Sequence, residues 1–468
     1  TPSSRGLGDV YKRQEEYYGL VVFLLATSNL LMPLVAFGSQ HTIIKYYSSY
    51  SNKNDRDSFM SSVILIPLFT IIPISLLVIE FHDLIGEFLS VQNPIIESYV
   101  WVIFLVAFAT SYFEVFYSWA RVQLKSVFGN FLKEIFPRLS VFSLLICVYF
   151  GLINKEEFVW WLTGLYYLRL FIMIMYSFSL YFPKITFSLP KNIGSILTYS
   201  FYIFLAGSAA SILIDIDKFM IPQKEAISQT AFYAVAVFIA TVVEIPGRAM
   251  FQIINPLVAK ALNENNIKEL SNLYSKSSIN LLIVAGLFFL LININIEPFY
   301  NLMSNPSYGD AIWVVLMIST SKLILMSFGC GPAILATAKF YKITLPFSIL
   351  MAIAVYFLND ILIDIYSING AALSTLIVVF IFTVLKTLYI KVKLNISPYS
   401  TNSVKVLVSI LVVYFLLNSF DLNLNNILEI AVNTFIILFL YLSIIYKLKA
   451  SKAINSFINN LFRGEFRL

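Results

Sequence analysis

Charged residues are scarce in this sequence. Asp, Glu, Lys and Arg make up 12% of its 468 residues, against about 25% in a typical soluble domain. Hydrophobic residues make up 59%, and the mean hydropathy is +0.81. The chain therefore lacks the polar residues that would cover a soluble globular protein, and we predict a polytopic membrane protein.

Residues that build metal centres and disulfides are also few. The two cysteines, Cys147 and Cys330, lie far apart in apolar stretches, and the two histidines, His41 and His82, lie between such stretches. This pattern predicts neither a disulfide framework nor a metal site. No G-x-x-x-x-G-K-[ST] segment is present, so ATP hydrolysis by this chain is not expected. The net charge of +6 is not clustered, and we expect no cofactor, no nucleic acid partner and no enzymatic activity.

What is abundant is long apolar runs. A spanning helix needs about 20 mostly apolar residues, and thirteen runs approach or exceed this length. They cover 17–38, 59–80, 98–118, 132–152, 157–182, 193–214, 230–252, 278–295, 311–335, 340–359, 369–390, 403–419 and 426–446. The segments between them are too short for a soluble domain. The predicted fold class is all-α, with thirteen transmembrane helices.

The placement of Lys and Arg predicts the orientation. When the loop after the first run is placed in the cytoplasm and the sides alternate, 22 basic residues fall inside. Only Lys155, Lys218 and Lys224 fall outside. Cytoplasmic loops of membrane proteins carry an excess of Lys and Arg, so this asymmetry supports both the orientation and the helix count. It places the C-terminus, with its basic tail at 447–468, in the cytoplasm.

The order of the runs also contains a repeat. The runs that start at 17, 59, 98, 132 and 157 recur as runs that start at 230, 278, 311, 340 and 369. Both copies begin with a helix of the same direction, which is typical of two parallel halves. We predict an N-terminal lobe at 15–182, a C-terminal lobe at 193–393 and two peripheral helices at 403–446.

The beginning of the chain does not fit this plan. The run at 193–214 precedes the second copy, and its counterpart before the first copy is missing. We therefore expect the native protein to have fourteen helices, six in each lobe and two peripheral helices. The stretch DVYKRQ resembles the translated end of a sequencing-library adaptor. We therefore interpret residues 1–14 as an assembly artefact fused to a truncated gene. The alternative is a short native tail.

Charged side chains inside spanning segments are expensive and usually face a cavity or a partner. Six of those in the predicted spans stand out, namely Glu114, Arg138, Arg169, Glu244, Arg248 and Lys322. Cations outnumber anions four to two, and Arg169 and Lys322 lie near the middle of their runs in different halves. A cavity lined by these cations would suit a phosphate or diphosphate. For Arg138 and Arg248 the alternative is a side chain that reaches the cytoplasmic surface, and for Arg169 and Lys322 it is a salt bridge with Glu114 or Glu244.

The two carboxylates are candidates for ion coupling. Glu114 or Glu244 could bind H⁺ or Na⁺, although Arg248 lies four residues after Glu244 and would hold it ionised. Asp217 and Lys218, at the predicted outer mouth, are candidates for an outer gate, and a solvated helix end is the alternative.

Three segments carry recognisable motifs. The first has Glu16, Tyr18-Gly19, Gly38 and Lys45-Tyr46 around an apolar run. The second has the pair Asp217-Lys218, then Tyr233 and Pro256. The third is the stretch YSINGAALSTLI. With these motifs the chain resembles flippases of polysaccharides and O-antigen (Wzx type) in the multidrug/oligosaccharidyl-lipid/polysaccharide exporter superfamily, and the resemblance covers essentially all of 15–446.

The resemblance implies two six-helix bundles and two further helices in the bacterial inner membrane. It implies that undecaprenyl-diphosphate-linked oligosaccharide, a unit of O-antigen, capsule or exopolysaccharide, crosses the membrane by alternating access. The implied partners are this lipid-linked oligosaccharide, membrane lipids and the polysaccharide polymerase and chain-length proteins, with the flippase itself a monomer. The alternatives are a lipid II flippase, a drug/cation antiporter of the same superfamily, and a membrane-embedded polymerase or glycosyltransferase.

Overall fold

The computed structural model describes residues 2–50, 52–184, 186, 190, 192–303, 305–420 and 424–463. Thr1, in the segment interpreted as an artefact, and residues 464–468, in the predicted basic tail, lie outside the described residues. The described part of the chain forms eighteen α-helices and short 3-10 turns, with no strand. The predicted all-α class is confirmed.

The helices divide into two compact units, Thr1–Ala231 and Phe232–Leu468. The first unit contains α1 (Pro2–Ala36), α2 (Ser39–Tyr46), α3 (Lys53–Glu80), α4 (His82–Ser90), α5 (Val100–Val122), α6 (Ser126–Glu134), α7 (Phe136–Tyr149), α8 (Lys155–Leu180) and α9 (Ile193–Lys224). The helix α10 (Ile227–Ala240) begins in the first unit and continues into the second. The second unit contains α11 (Ile245–Asn263), α12 (Ile267–Asn301), α13 (Ile312–Ser327), α14 (Gly331–Thr337), α15 (Thr344–Leu394), α16 (Thr401–Asn418), α17 (Asn426–Leu448) and α18 (Lys452–Arg463).

Within the described ranges, ten helices are long and apolar enough to cross a membrane, and a bent pair in α9 brings the total to eleven. The pair bends by 45° between Ile193–Ala209 and Ser211–Lys224. The chain is therefore a multi-pass membrane protein. The predicted run at 132–152 corresponds mainly to α7, whose 14 residues span only about 21 Å. Pro137 lies in the first turn of α7, and a proline there ends the preceding helix α6 because its ring clashes with a continuing helix.

The helix α15 explains part of the difference between the thirteen predicted spans and the ten or eleven found in the described part of the structure. Its 51 residues would be about 76 Å long, more than twice the hydrocarbon core of about 30 Å. Ser367 has the non-helical angles φ 52° and ψ −134°, and the chain folds back on itself there. The Ser374 hydroxyl donates to the Val355 carbonyl at 3.3 Å. Two antiparallel arms therefore replace one long helix, which agrees with the two predicted runs at 340–359 and 369–390.

The tight turn at Ser367 depends on a glycine. A Cβ on Gly370 would lie 1.9 Å from the carbonyl oxygen of Leu362, far inside van der Waals contact. Only a residue without a side chain lets the two arms approach this closely. The third family-like segment, YSINGAALSTLI, therefore contains the residue that closes the hairpin.

The helix α9 packs in the first unit, although the repeat predicts that the second lobe begins at 193. It lies along α1, where the rings of Phe23 and Phe219 stack with centroids 6.0 Å apart. The hydroxyls of Thr42 and Ser200 also share a hydrogen bond of 2.7 Å, and both residues are fully buried. These contacts place the boundary of the compact unit after Ala231, about 40 residues later than the predicted boundary.

The predicted peripheral helices, now α16 and α17, pack on α12. The Tyr441 hydroxyl donates to the Ile283 carbonyl at 3.0 Å, and Tyr441 is fully buried. Ile410 of α16 and Ile437 of α17 belong to the same buried apolar cluster as Leu282 of α12. The two helices therefore complete the core of the second unit.

Candidate functional site

Arg169 is a buried cation in the first unit. It is the fifteenth of the 26 residues of α8, whose start is set by Asn154 and Glu157, which cap each other's backbone N–H groups at 2.7 and 2.9 Å. Its side chain lies over the rings of Phe113 and Tyr166, at 4.3 and 4.6 Å from their centroids. Only 5% of Arg169 is exposed.

The hydrogen bonds of Arg169 are incomplete. One terminal nitrogen donates to the Thr110 hydroxyl at 3.5 Å, which is at the long limit for such a bond. The Nε–H is buried and has no hydrogen-bond acceptor. No carboxylate of the described residues forms an ion pair with this guanidinium. A buried cation of this kind retains donors that an anionic ligand could accept.

Glu114 pairs with a different cation. The Lys133 Nζ lies 2.6 Å from Glu114 Oε1, and the side chain of Glu114 is 13% exposed. The salt bridge between Glu114 and Arg169 that the sequence left open is therefore not the one that forms. Lys133 is on α6, just before the break at α7, and the sequence counts it among the basic residues of the cytoplasmic side. Nothing in the sequence joins positions 114 and 133, which only the packing of α6 against α5 brings together.

The second unit holds a cluster centred on Glu244. Its Oε1 accepts from Arg248 at 2.7 Å, and its Oε2 lies 2.9 Å from Lys322 Nζ. Glu244 ends a 3-10 turn, Thr241–Glu244, before Pro246 in the first turn of α11. Because Arg248 is four residues further on, the two side chains share one face. Lys322 comes from α13, so the salt bridge considered for Lys322 is present.

The remaining candidates differ in their surroundings. Arg138 is 69% exposed and lies 3.9 Å from Glu134, which fits a side chain at a surface better than one in a closed site. Lys218 pairs with Asp215 at 2.6 Å, and Asn29 on α1 donates to the same carboxylate at 3.2 Å. Asp217 is 7% exposed and has contacts of its own. Lys218 of the predicted gate pair thus bonds Asp215, which also joins α9 to α1.

In each unit, one of the candidate carboxylates can be grouped with two cations. In the first unit these are Glu114, Lys133 and Arg169, and in the second they are Glu244, Arg248 and Lys322. Each set carries a net charge of +1 when all groups are ionised. Both carboxylates are engaged by a cation at 2.6–2.9 Å. The described residues contain no group of three or more His, Cys, Asp and Glu that could hold a metal ion.

A sequence profile decides the family. The profile described as polysaccharide biosynthesis protein matches residues 14–251, which is just over half of the chain. The chain belongs to the polysaccharide biosynthesis protein family. No curated protein sequence matches it.

Solved structures of transporters share the fold of this polysaccharide biosynthesis protein. The lipid II flippase MurJ in an inward closed conformation matches with a TM-score of 0.60 and 15% identity, over 94% of this chain and 97% of MurJ. An inward-facing MATE multidrug transporter of the MOP superfamily matches with a TM-score of 0.65 and 13% identity, over 81% and 91%. At these identities the two matches show a shared fold, and the second of the two structures is described as a member of the superfamily that the sequence motifs resemble.

Proposed function

We propose that this polysaccharide biosynthesis protein is a flippase for oligosaccharide linked to a polyprenyl diphosphate such as undecaprenyl diphosphate. The family supports a role in polysaccharide synthesis, and the fold supports movement of a substrate across the membrane. The substrate would be a unit of O-antigen, capsule or exopolysaccharide. The membrane would be the bacterial inner membrane, with the C-terminus in the cytoplasm as the distribution of Lys and Arg predicts.

The observation that carries the proposal is the buried guanidinium of Arg169. Charged groups in the membrane are costly and are retained where they have a partner or a ligand. Arg169 is 5% exposed, has an unsatisfied Nε–H, and forms no ion pair with any described carboxylate. Its planar fork matches the oxygens of a diphosphate. The excess cation of the Glu244 cluster adds a second group of the same sign.

A drug/cation antiporter would need a different electrostatic pattern. An acidic residue free to hold a cationic drug would be its central feature, yet Glu114 and Glu244 are both bound to Lys or Arg side chains. The pattern of buried charge thus favours an anionic substrate. A lipid II flippase would meet the same electrostatic requirement, because lipid II also has a diphosphate.

The test is transport in liposomes. The purified chain would be reconstituted, and the appearance of a fluorescent polyprenyl-diphosphate oligosaccharide on the opposite leaflet would be measured. Arg169→Ala should slow transport by about ten- to a hundredfold, since a hydrogen bond to a charged group contributes roughly 1.5–3 kcal/mol. Arg169→Lys should retain part of the activity, because the charge remains and the fork is lost.

Matched variants separate the possible outcomes. Lys322→Ala should reduce transport, whereas Lys260→Ala, an exposed lysine 3.9 Å from Glu264, should not. Equal transport by the wild type and Arg169→Ala would remove Arg169 from the site. Cation efflux without movement of any lipid-linked sugar would assign the protein to the antiporters. Preference for lipid II over oligosaccharide would assign it to the lipid II flippases.

A further inference from the structure

A polar cavity of about 460 Å³ lies inside the second unit. It lies between the end of α12, the start of α13, the end of α16 and the start of α17. The distribution of Lys and Arg predicts that this end faces outside. None of the residues of the two charged clusters lines it. Its polar lining residues are Asn293, Glu297, Asn301, Asn418, Ser419, Glu429 and Asn433.

The lining combines hydrogen-bonding groups with aromatic rings. Amides both donate and accept, and carboxylates accept up to four hydrogen bonds. Trp313, Tyr414 and Phe420 add three rings, whose apolar faces and edges pack against C–H groups. No Lys, Arg or His is among the described lining residues. The cavity therefore does not suit a phosphate, and it does suit a neutral ligand with many hydroxyl groups.

Asn433 indicates that the cavity is a binding site. It is on α17, is 8% exposed and lines the cavity. Its side-chain amide has no hydrogen-bond partner within the described ranges, whereas the equally buried Asn293 bonds the Phe289 carbonyl and Ser319. A hydroxyl group of a ligand in the cavity could donate to the Asn433 amide oxygen or accept from the amide nitrogen.

The volume distinguishes a sugar from an ion. Small-molecule pockets have volumes of roughly 300–1,000 Å³, and one water takes about 30 Å³ of the liquid. A single cation would leave nearly all of a 460 Å³ cavity to water, whereas a sugar unit would take a larger share of it.

We infer that this cavity binds a neutral sugar unit of the transported oligosaccharide, on the side of the membrane where the substrate is released. The inference rests on the proposed function for its biological role. The sugar binding itself can be measured without transport.

The experiment measures binding of free sugars to the whole purified chain in detergent. Glucose, galactose, mannose and N-acetylglucosamine would be titrated to millimolar concentrations, and contact would be detected by saturation-transfer NMR. At least one sugar should give a saturable signal. Asn433→Leu and Glu429→Gln should weaken its binding at least tenfold. Glu264→Gln, an exposed carboxylate in the same unit, should bind like the wild type.

Each other outcome overturns the inference. No saturable signal from any of the four sugars would do so, and so would a signal that neither Asn433→Leu nor Glu429→Gln weakens. A third outcome would be a higher melting temperature in NaCl than in choline chloride, lost when Glu297 or Glu429 is replaced, with no sugar binding. That result would assign the cavity to a cation instead. Failure of the proposed function is a separate result, because Arg169→Ala should lose transport and still bind the sugar.

Discussion

Replacing Arg169 with Met separates a ligand-binding arginine from a structural one. Met is close in length, fills irregular space and carries no charge. If Arg169 is retained for an anionic substrate, the empty protein should gain or keep stability while transport falls. If Arg169 is retained to hold helices together, both should fall.

The contacts of Arg169 determine how much its replacement should change the stability of the protein. The two ring contacts, to Phe113 and Tyr166, contribute roughly 0.5–2 kcal/mol each, and the 3.5 Å contact with Thr110 adds little. Against these stand the desolvation of the guanidinium, which costs several kcal/mol for a buried ion, and the unpaired Nε–H, which costs roughly 1–3 kcal/mol. We therefore expect Arg169→Met to range from neutral to about 3 kcal/mol more stable.

Lys322→Met is the matched comparison. Lys322 loses a 2.9 Å contact with Glu244, so its replacement should destabilise the protein by about 1–2 kcal/mol. Thermal melts of both variants in the same detergent would give the order of stability, and the liposome assay would give transport. A melting temperature of Arg169→Met below that of Lys322→Met would refute the reasoning, because it would show that Arg169 stabilises the empty protein more than a salt-bridged lysine does.

Three further substitutions test the packing around the candidate sites. Glu244→Gln removes the partner of two cations and should cost about 1–3 kcal/mol in thermal melts, part of which the double variant with Lys322→Met should restore; additive losses would contradict the coupling. Asn93→Ala removes two hydrogen bonds to carbonyls at 2.7 and 2.8 Å and one from an N–H at 2.9 Å, so a loss of about 3 kcal/mol or more in unfolding free energy is expected, and a loss under about 1 kcal/mol would be incompatible. Gly38→Ala should cost about 2–4 kcal/mol, because Gly38 has φ 70° and a Cβ there would lie 2.6 Å from a backbone oxygen; wild-type stability of this variant would rule out the turn between α1 and α2.

Much of the fold could be predicted because membrane-spanning helices are recognisable in a sequence by their length and apolar composition. The ends of α16 and α17 fall within three residues of the predicted runs. The break at Ser367 was also anticipated, since two runs separated by a polar stretch were predicted where α15 turns back. The position of α9 could not be predicted from the repeat. Its packing on α1 depends on particular contacts, such as Asn29 with Asp215, that a hydropathy pattern does not contain.

The candidate site divides in the same way. The sequence alone identified charged residues within the apolar runs, and such residues are candidates for function because a charge in lipid is costly. The spacing of four between Glu244 and Arg248 also placed these two side chains on one helical face. Only the tertiary structure decided that Glu114 is neutralised by Lys133, that Lys322 completes the Glu244 cluster and that Arg169 keeps unsatisfied donors. Pairing in lipid depends on distances of a few ångströms between helices, and those distances arise from the packing of whole helices. Residue order fixes neighbours along one helix, while partners on another helix are set by the fold.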